Sequence, residues 1–207
     1  AMMYAALVAL GFCTGLVGSV TGVGGGFFVV PFLIIVMDLP AVPIAIGSSL
    51  FVVFVNSAVG ATGYVIKKCV SFRTAISFIA ASVPASVLGT YVLDKYLSPQ
   101  ASLFFTIFAA VSIVGFVLSL IDAFLKPAVE LQPRNSILVE SVCGFMSGIV
   151  ASLIGVGGGV VNVPSMVYML KYAPKIAAGT SHVIVASTVI YPLVSHILNG
   201  NIHYPSS

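Results

Sequence analysis

The amino-acid sequence predicts an all-α integral membrane protein made of two inverted repeats, each opening with a glycine-broken, re-entrant helix. Three observations lead there: charge is nearly absent, one glycine motif occurs twice, and the basic residues divide unevenly among the loops. Of 207 residues, 59% are apolar and only 6% are charged. Eight basic and five acidic side chains cannot cover the surface of a water-soluble domain of this size. Residues 1–37 carry no charge before Asp38, and a membrane-spanning helix needs about 20 apolar residues. The net charge of +3 comes from loop residues without a basic face or stripe, which argues against a nucleic-acid partner.

The repeat is read directly. Residues 11–31 are GFCTGLVGSVTGVGGGFFVVP, and residues 144–164 are GFMSGIVASLIGVGGGVVNVP. They align without a gap at an offset of 133, with twelve of 21 positions identical. After a one-residue slip, Ile44-Ala-Ile-Gly-Ser-Ser49 matches Ile176-Ala-Ala-Gly-Thr-Ser181. Residues 1–125 therefore form a first membrane repeat, 126–136 a connecting loop and 137–207 a second membrane repeat. The second copy is expected to lack counterparts of the last two helices of the first.

Each element has its own reason. One straight helix over residues 1–37 would be about 55 Å long, nearly twice the hydrocarbon core. Gly22, Gly24, Gly25 and Gly26 interrupt it, each disfavouring helix by about 1 kcal/mol relative to Ala. Two partial helices, 4–21 and 26–37, are expected around that turn. Apolar helices over 43–66 and 74–93 follow, then a Ser98-Pro99 break and a helix over 99–121. In the second copy Gly155, Gly157, Gly158 and Gly159 repeat the interruption. Non-helical backbone at membrane depth is tolerated only where protein or a watery cavity surrounds it.

The basic residues set the topology. If each glycine segment enters and leaves on one side, Lys67, Lys68, Arg73, Lys126, Arg134, Lys171 and Lys175 fall together and Lys95 alone lies opposite, as the positive-inside rule favours. Asp38 and His203 then belong to the Lys95 side. Three further crossings in a complete repeat invert the second copy relative to the first. Discontinuous helices in inverted repeats commonly hold a transported solute near the midplane.

A helix that begins in a glycine turn presents unpaired N–H groups and the positive end of its dipole. Two such turns would aim donors at one anion. The candidate binding residues are Gly24, Gly25, Gly26, Gly157, Gly158 and Gly159, with Ser48, Ser49, Asn56, Asn162, Thr180, Ser181 and His182 adding side-chain groups. The competing reading is structural. Small residues let helices pack closely, and Ser or Thr hydroxyls can bond back to their own helix. No Asp or Glu is placed mid-segment, which favours an anion over a cation. No cofactor, metal site or catalytic constellation is indicated. The glycine run lacks the Lys-Ser/Thr of a phosphate loop.

The doubled G-x-x-x-G-x-x-[GA]-x-x-x-G-x-G-G-G-x-x-x-x-P motif, followed by Gly47-Ser-Ser49 and Gly179-Thr-Ser181, resembles the sulfite exporter TauE/SafE family. Ala151 departs from it where the first copy has Gly18. The resemblance implies a permease, not an enzyme, that moves sulfite, thiosulfate, a sulfonate or a related small anion across the cell membrane. The alternative is a non-transporting membrane scaffold or transporter subunit whose glycines serve only helix packing.

Overall fold

A computed structural model describes residues 2–22, 24–35, 42–93, 95, 106, 109, 110, 113 and 136–198. Every regular element among these is helical. The first repeat gives α1 (Met2–Thr21), α2 (Gly26–Ile35), α3 (Val42–Ile66) and α4 (Phe72–Val92). The second gives α5 (Ile137–Ile154), α6 (Gly159–Pro164) continued by a π-turn over Ser165–Met169, α7 (Pro174–Thr188) and α8 (Ile190–Leu198). Of the helix expected over 99–121, Thr106, Ala109, Ala110 and Ile113 are described, and all are helical. The loop 126–135, Asp38 and His203 lie outside the described residues.

Four helical segments are long and apolar enough to cross a bilayer: Ile44–Ile66, Phe72–Val92, Ile137–Ile154 and Pro174–Leu198. The last combines α7 and α8. Pro192 has no N–H to offer the Thr188 carbonyl, so the ladder is interrupted at Val189 while Leu193 still bonds Val189 O at 3.0 Å. The apolar span continues through the break.

The two glycine breaks have the same backbone. Gly22, Gly24 and Gly25 have φ of 74°, 88° and 83°; their counterparts Gly155, Gly157 and Gly158 have 73°, 90° and 74°. That left-handed region is open to glycine and costs other residues about 1–2 kcal/mol. Gly22 and Gly155 close α1 and α5 by bonding the Gly18 and Ala151 carbonyls at 3.0 and 3.1 Å.

Contacts between the copies are exchanged. A Cβ on Gly22 would stand 2.8 Å from Ala178 Cα, and one on Gly155 would stand 3.3 Å from Ile46 Cα; Ala178 and Ile46 are themselves counterparts. Both Gly24 and Gly157 rest against the Cγ1 atoms of Val53 and Val185, another matched pair. Residue i of one copy touches j of the other, while j′ touches i′, so the contacts at the two turns are reciprocal. A core of Ile46, Leu50, Val53, Val185, Val189 and Leu193 packs beside them.

Helix directions follow from the same contacts. Val53, Gly60 and Tyr64 along α3 meet Val185, His182 and Gly179 in turn, so α3 and α7 run antiparallel. By contrast Phe78, Ser82 and Gly89 of α4 meet Gly144, Gly148 and Ser152 of α5, so those two run parallel. The loop after α3 and the loop before α7 lie together at one end. Ser71 N donates to Thr180 Oγ1 at 2.9 Å, and Thr74 Oγ1 lies 2.7 Å from the Tyr172 hydroxyl. Lys67, Lys68, Arg73, Lys171 and Lys175 are exposed around this end, while Lys95 lies beyond the far end of α4. The basic loops group as the charge pattern predicts; Lys126 and Arg134 lie outside the described residues.

Candidate substrate site at the paired glycine turns

The turns sit at the centre of the helix packing, and Gly24, Gly25, Gly26 and the stretch 154–160 are buried. Their donors are unclaimed. No acceptor among the described residues takes the N–H groups of Gly24, Gly25, Gly26, Gly157, Gly158, Gly159 or Val160, whereas Val161 and Asn162 already bond the Gly158 carbonyl. Buried backbone donors are nearly always paired. Two clusters of free donors at two helix starts form an electropositive centre without any charged side chain.

The carbonyl side of each turn is satisfied by a serine of the other copy. Ser49 Oγ donates to Gly155 O at 2.9 Å, and Ser181 Oγ donates to Gly22 O at 2.7 Å. Each serine comes from one copy and caps the helix end of the other. Both hydroxyl protons are thus engaged with the turns themselves. The space between the turns is filled as well. Val53 Cγ1 lies 3.0 Å and 2.6 Å from where Cβ atoms on Gly24 and Gly157 would stand, and a Cβ on Gly26 would lie 2.7 Å from Gly155 O.

The remaining sequence candidates separate into groups. Asn56 belongs to the first turn: its Nδ2 donates to Gly24 O at 3.1 Å and its Oδ1 accepts from Ser19 Oγ at 3.2 Å. A cavity of about 340 Å³ beside it is lined by Thr14, Gly24 and Asn56 with apolar residues of α1 and α3. Asn162 lies one turn beyond Gly158, fully buried, with neither Oδ1 nor Nδ2 partnered. His182 is also fully buried. Its ring stacks on Tyr64 with centroids 5.7 Å apart, and Gly60 leaves room for its other face. His182 Nε2 lies 3.2 Å from Ser19 O. A carbonyl only accepts, so Nε2 carries the proton and the unpartnered Nδ1 presents a lone pair. Thr180 is drawn to the basic end by Ser71, away from the turns. Ser48 is half-buried on α3.

Two features escape a reading of the sequence. Ser57 is buried beside Gly24 with an unpartnered hydroxyl. Glu140, which reads as one more charge near a loop, lies in the first turn of α5 with 1% exposure and no partner for either carboxylate oxygen. A signal for it was present. Glu140, Cys143, Gly144, Ser147, Gly148 and Ala151 fall on one helical stripe, and all are buried.

Four apolar spans among the described residues define a multi-pass membrane protein. The sulfite exporter TauE/SafE family matches residues 7–207, and the chain belongs to that family. It is 29% identical over 226 residues to a probable membrane transporter protein of Bacillus subtilis, covering 98% of this chain and 81% of that one. A probable membrane transporter protein of Methanocaldococcus jannaschii is 30% identical over 197 residues, covering 92% of this chain and 71% of that protein. A shorter match, 32% over 88 residues, joins it to a probable membrane transporter protein of Xylella fastidiosa, covering 42% of this chain and 33% of that one. No solved structure matches significantly. The chain is a membrane transporter of the TauE/SafE type.

Proposed function

We propose that this protein carries a small oxyanion of sulfur, such as sulfite, thiosulfate or a sulfonate, across the cell membrane by alternating access. The observation that carries the reading is the pair of buried glycine turns with matching left-handed backbone and unclaimed N–H groups. Neutral donors suit a multi-oxygen anion that must later leave, because a buried Arg would hold it by a stronger charge-assisted attraction. The described conformation then corresponds to an occluded state in which Val53 and Val185 fill the space between the turns. Flux through the purified protein in liposomes tests this: labelled sulfite, thiosulfate or sulfonate exchanges faster than in empty vesicles. No flux with any of the three sinks the proposal.

Inverted repeats with re-entrant glycine segments complete the reading. Antiparallel α3 and α7 are counterparts, and the starts of α5 and α7 lie at the same basic end, which supports α6 and the π-turn returning to the side from which α5 came. Cysteines placed at Lys68 and Lys171 are expected to react with a membrane-impermeant maleimide from the same side. Opposite accessibility defeats the inverted arrangement.

One observation favours the second reading, a packing scaffold or transporter subunit. At Gly22, Gly24, Gly25, Gly26, Gly155, Gly157 and Gly158 an added Cβ would meet a neighbour within about 3.1 Å. The scaffold reading requires the turn N–H groups to remain unpaired and the vesicles to remain anion-tight.

A further inference from the structure

Glu140 stands in the first turn of α5, 1% exposed, with neither carboxylate oxygen hydrogen-bonded. The parallel packing of α4 on α5 fixes what lies beside it. Phe78 meets Gly144 and Ser82 meets Gly148, so one turn earlier Thr74 stands level with Glu140. Thr74 is fully buried; its Oγ1 lies 2.7 Å from the Tyr172 hydroxyl and accepts from Ser71 Oγ at 3.2 Å. Ser71 is half-buried, and its N–H donates to Thr180 Oγ1. A line of hydroxyls therefore runs from the level of Glu140 to the loops at the basic end.

An ionised carboxylate with no donor and no counter-charge is among the costliest groups to bury, and the neutral acid costs far less. The packed elements bring several titratable groups: Cys143 on α5 itself, Arg73 on α4 and Tyr168 on the π-turn. Lys171 and Tyr172 follow in the loop, then Lys175 and His182 on α7. Arg73, Lys171 and Lys175 are exposed, Tyr172 is engaged with Thr74, and none of the seven bonds Glu140. The same geometry disfavours a metal ion, because the hydroxyls at this level bond one another and gather no oxygen shell about the carboxyl. A proton is the remaining way to neutralise it.

We propose that Glu140 is a proton-binding site at the basic end of the protein, occupied while that end is closed and emptied when it opens. Closed, the carboxyl is the neutral acid, buried against α4. Opening parts Ser71 from Thr180 and Thr74 from Tyr172, with α4 still seated on α5, and admits water one helical turn into the span. The acid then gives its proton to water, and no other bond changes. Exposed Lys67, Lys68, Arg73, Lys171 and Lys175 favour the negative charge that forms. Each closure takes one proton back from the basic side. The site stands on burial and packing, so it does not depend on which solute, if any, the turns bind.

Infrared spectroscopy of the purified protein in liposomes tests occupancy. Exposed carboxyls are ionised at neutral pH. The acid C=O stretch is therefore expected in the wild type and lost in Glu140→Gln. Absence of that band from the wild type, or its survival in the Gln variant, overturns the proposal. Amide hydrogen exchange at Ser71 tests the opening, and its wild-type arm needs no variant. An opening that releases one proton raises the open fraction roughly tenfold per pH unit, once the intrinsic base catalysis of exchange is divided out. In Glu140→Gln the open fraction is expected not to vary with pH. A wild-type open fraction that does not vary with pH overturns the proposal equally. Neither measurement requires flux, so a protein that moves no anion still passes or fails this test.

Discussion

The two glycine turns share a backbone and differ in their companions. At the first, Asn56 bonds the Gly24 carbonyl and Val29 occupies the buried position of α2 that follows the turn. At the second, Thr188 turns away to Ser82, and Asn162 stands where the first copy has Val29. Backbone φ values agree within about 10° across the pairs while the side chains do not match. In the proposed anion site the shared part supplies N–H groups and room for close approach from both halves. The unshared part would give that site two different faces, one beside Asn56 and one beside Asn162.

The largest expected effect strikes the shared part. Gly158→Leu places a side chain in a left-handed conformation and presses it on Ser147, whose carbonyl lies 2.6 Å from the added Cβ. Transport falls to background while the protein still inserts, because the four spans are untouched; Gly25→Leu does the same against Thr14 O. Normal flux in either variant would remove that turn from the site.

Next comes the charge at the caps. Ser181→Asp replaces a donor to Gly22 O by a carboxylate that can only accept, and it sets a negative charge beside the turns. At an effective dielectric near 20, like charges about 5 Å apart repel by roughly 3 kcal/mol, or on the order of a hundredfold in affinity. Calorimetry with sulfite and thiosulfate measures it, and undiminished binding would refute an anion at this centre.

The smallest effect tests the unshared part. Asn162→Val gives the second turn the residue of the first. With no anion present, removing a buried unpaired amide stabilises the protein by about 1–3 kcal/mol and raises Tm by several degrees. With anion present, affinity falls roughly tenfold if the amide is a ligand. A rise in Tm with unchanged affinity would make Asn162 a packing residue and leave the two turns functionally alike.

Much of this was legible in the sequence. Gly22 through Gly26 and their counterparts mark the breaks because only glycine occupies that backbone region cheaply, and the lysines of two loops announce a common end. What remained hidden depends on pairing across the chain. Ser49 and Ser181 read as hydroxyls that face a solute or bond back to their own helix, but their acceptors lie 106 and 159 residues away, where no local pattern reaches. Thr180 reads as part of the same motif, and its neighbour Ser71 draws it elsewhere. His182 is enclosed by Gly60 and Tyr64, two residues that look ordinary in a helix.

The seam between α4 and α5 has a mechanical consequence. α4 belongs to the first copy by sequence, yet its backbone is wedged against Gly144 and Gly148 of the second. Sliding these helices apart would open a gap that no side chain on either glycine can fill. Any motion that parts the turns must therefore carry α4 along with α5 as one body. In the proposed alternating-access cycle the moving bodies therefore do not coincide with the two sequence repeats.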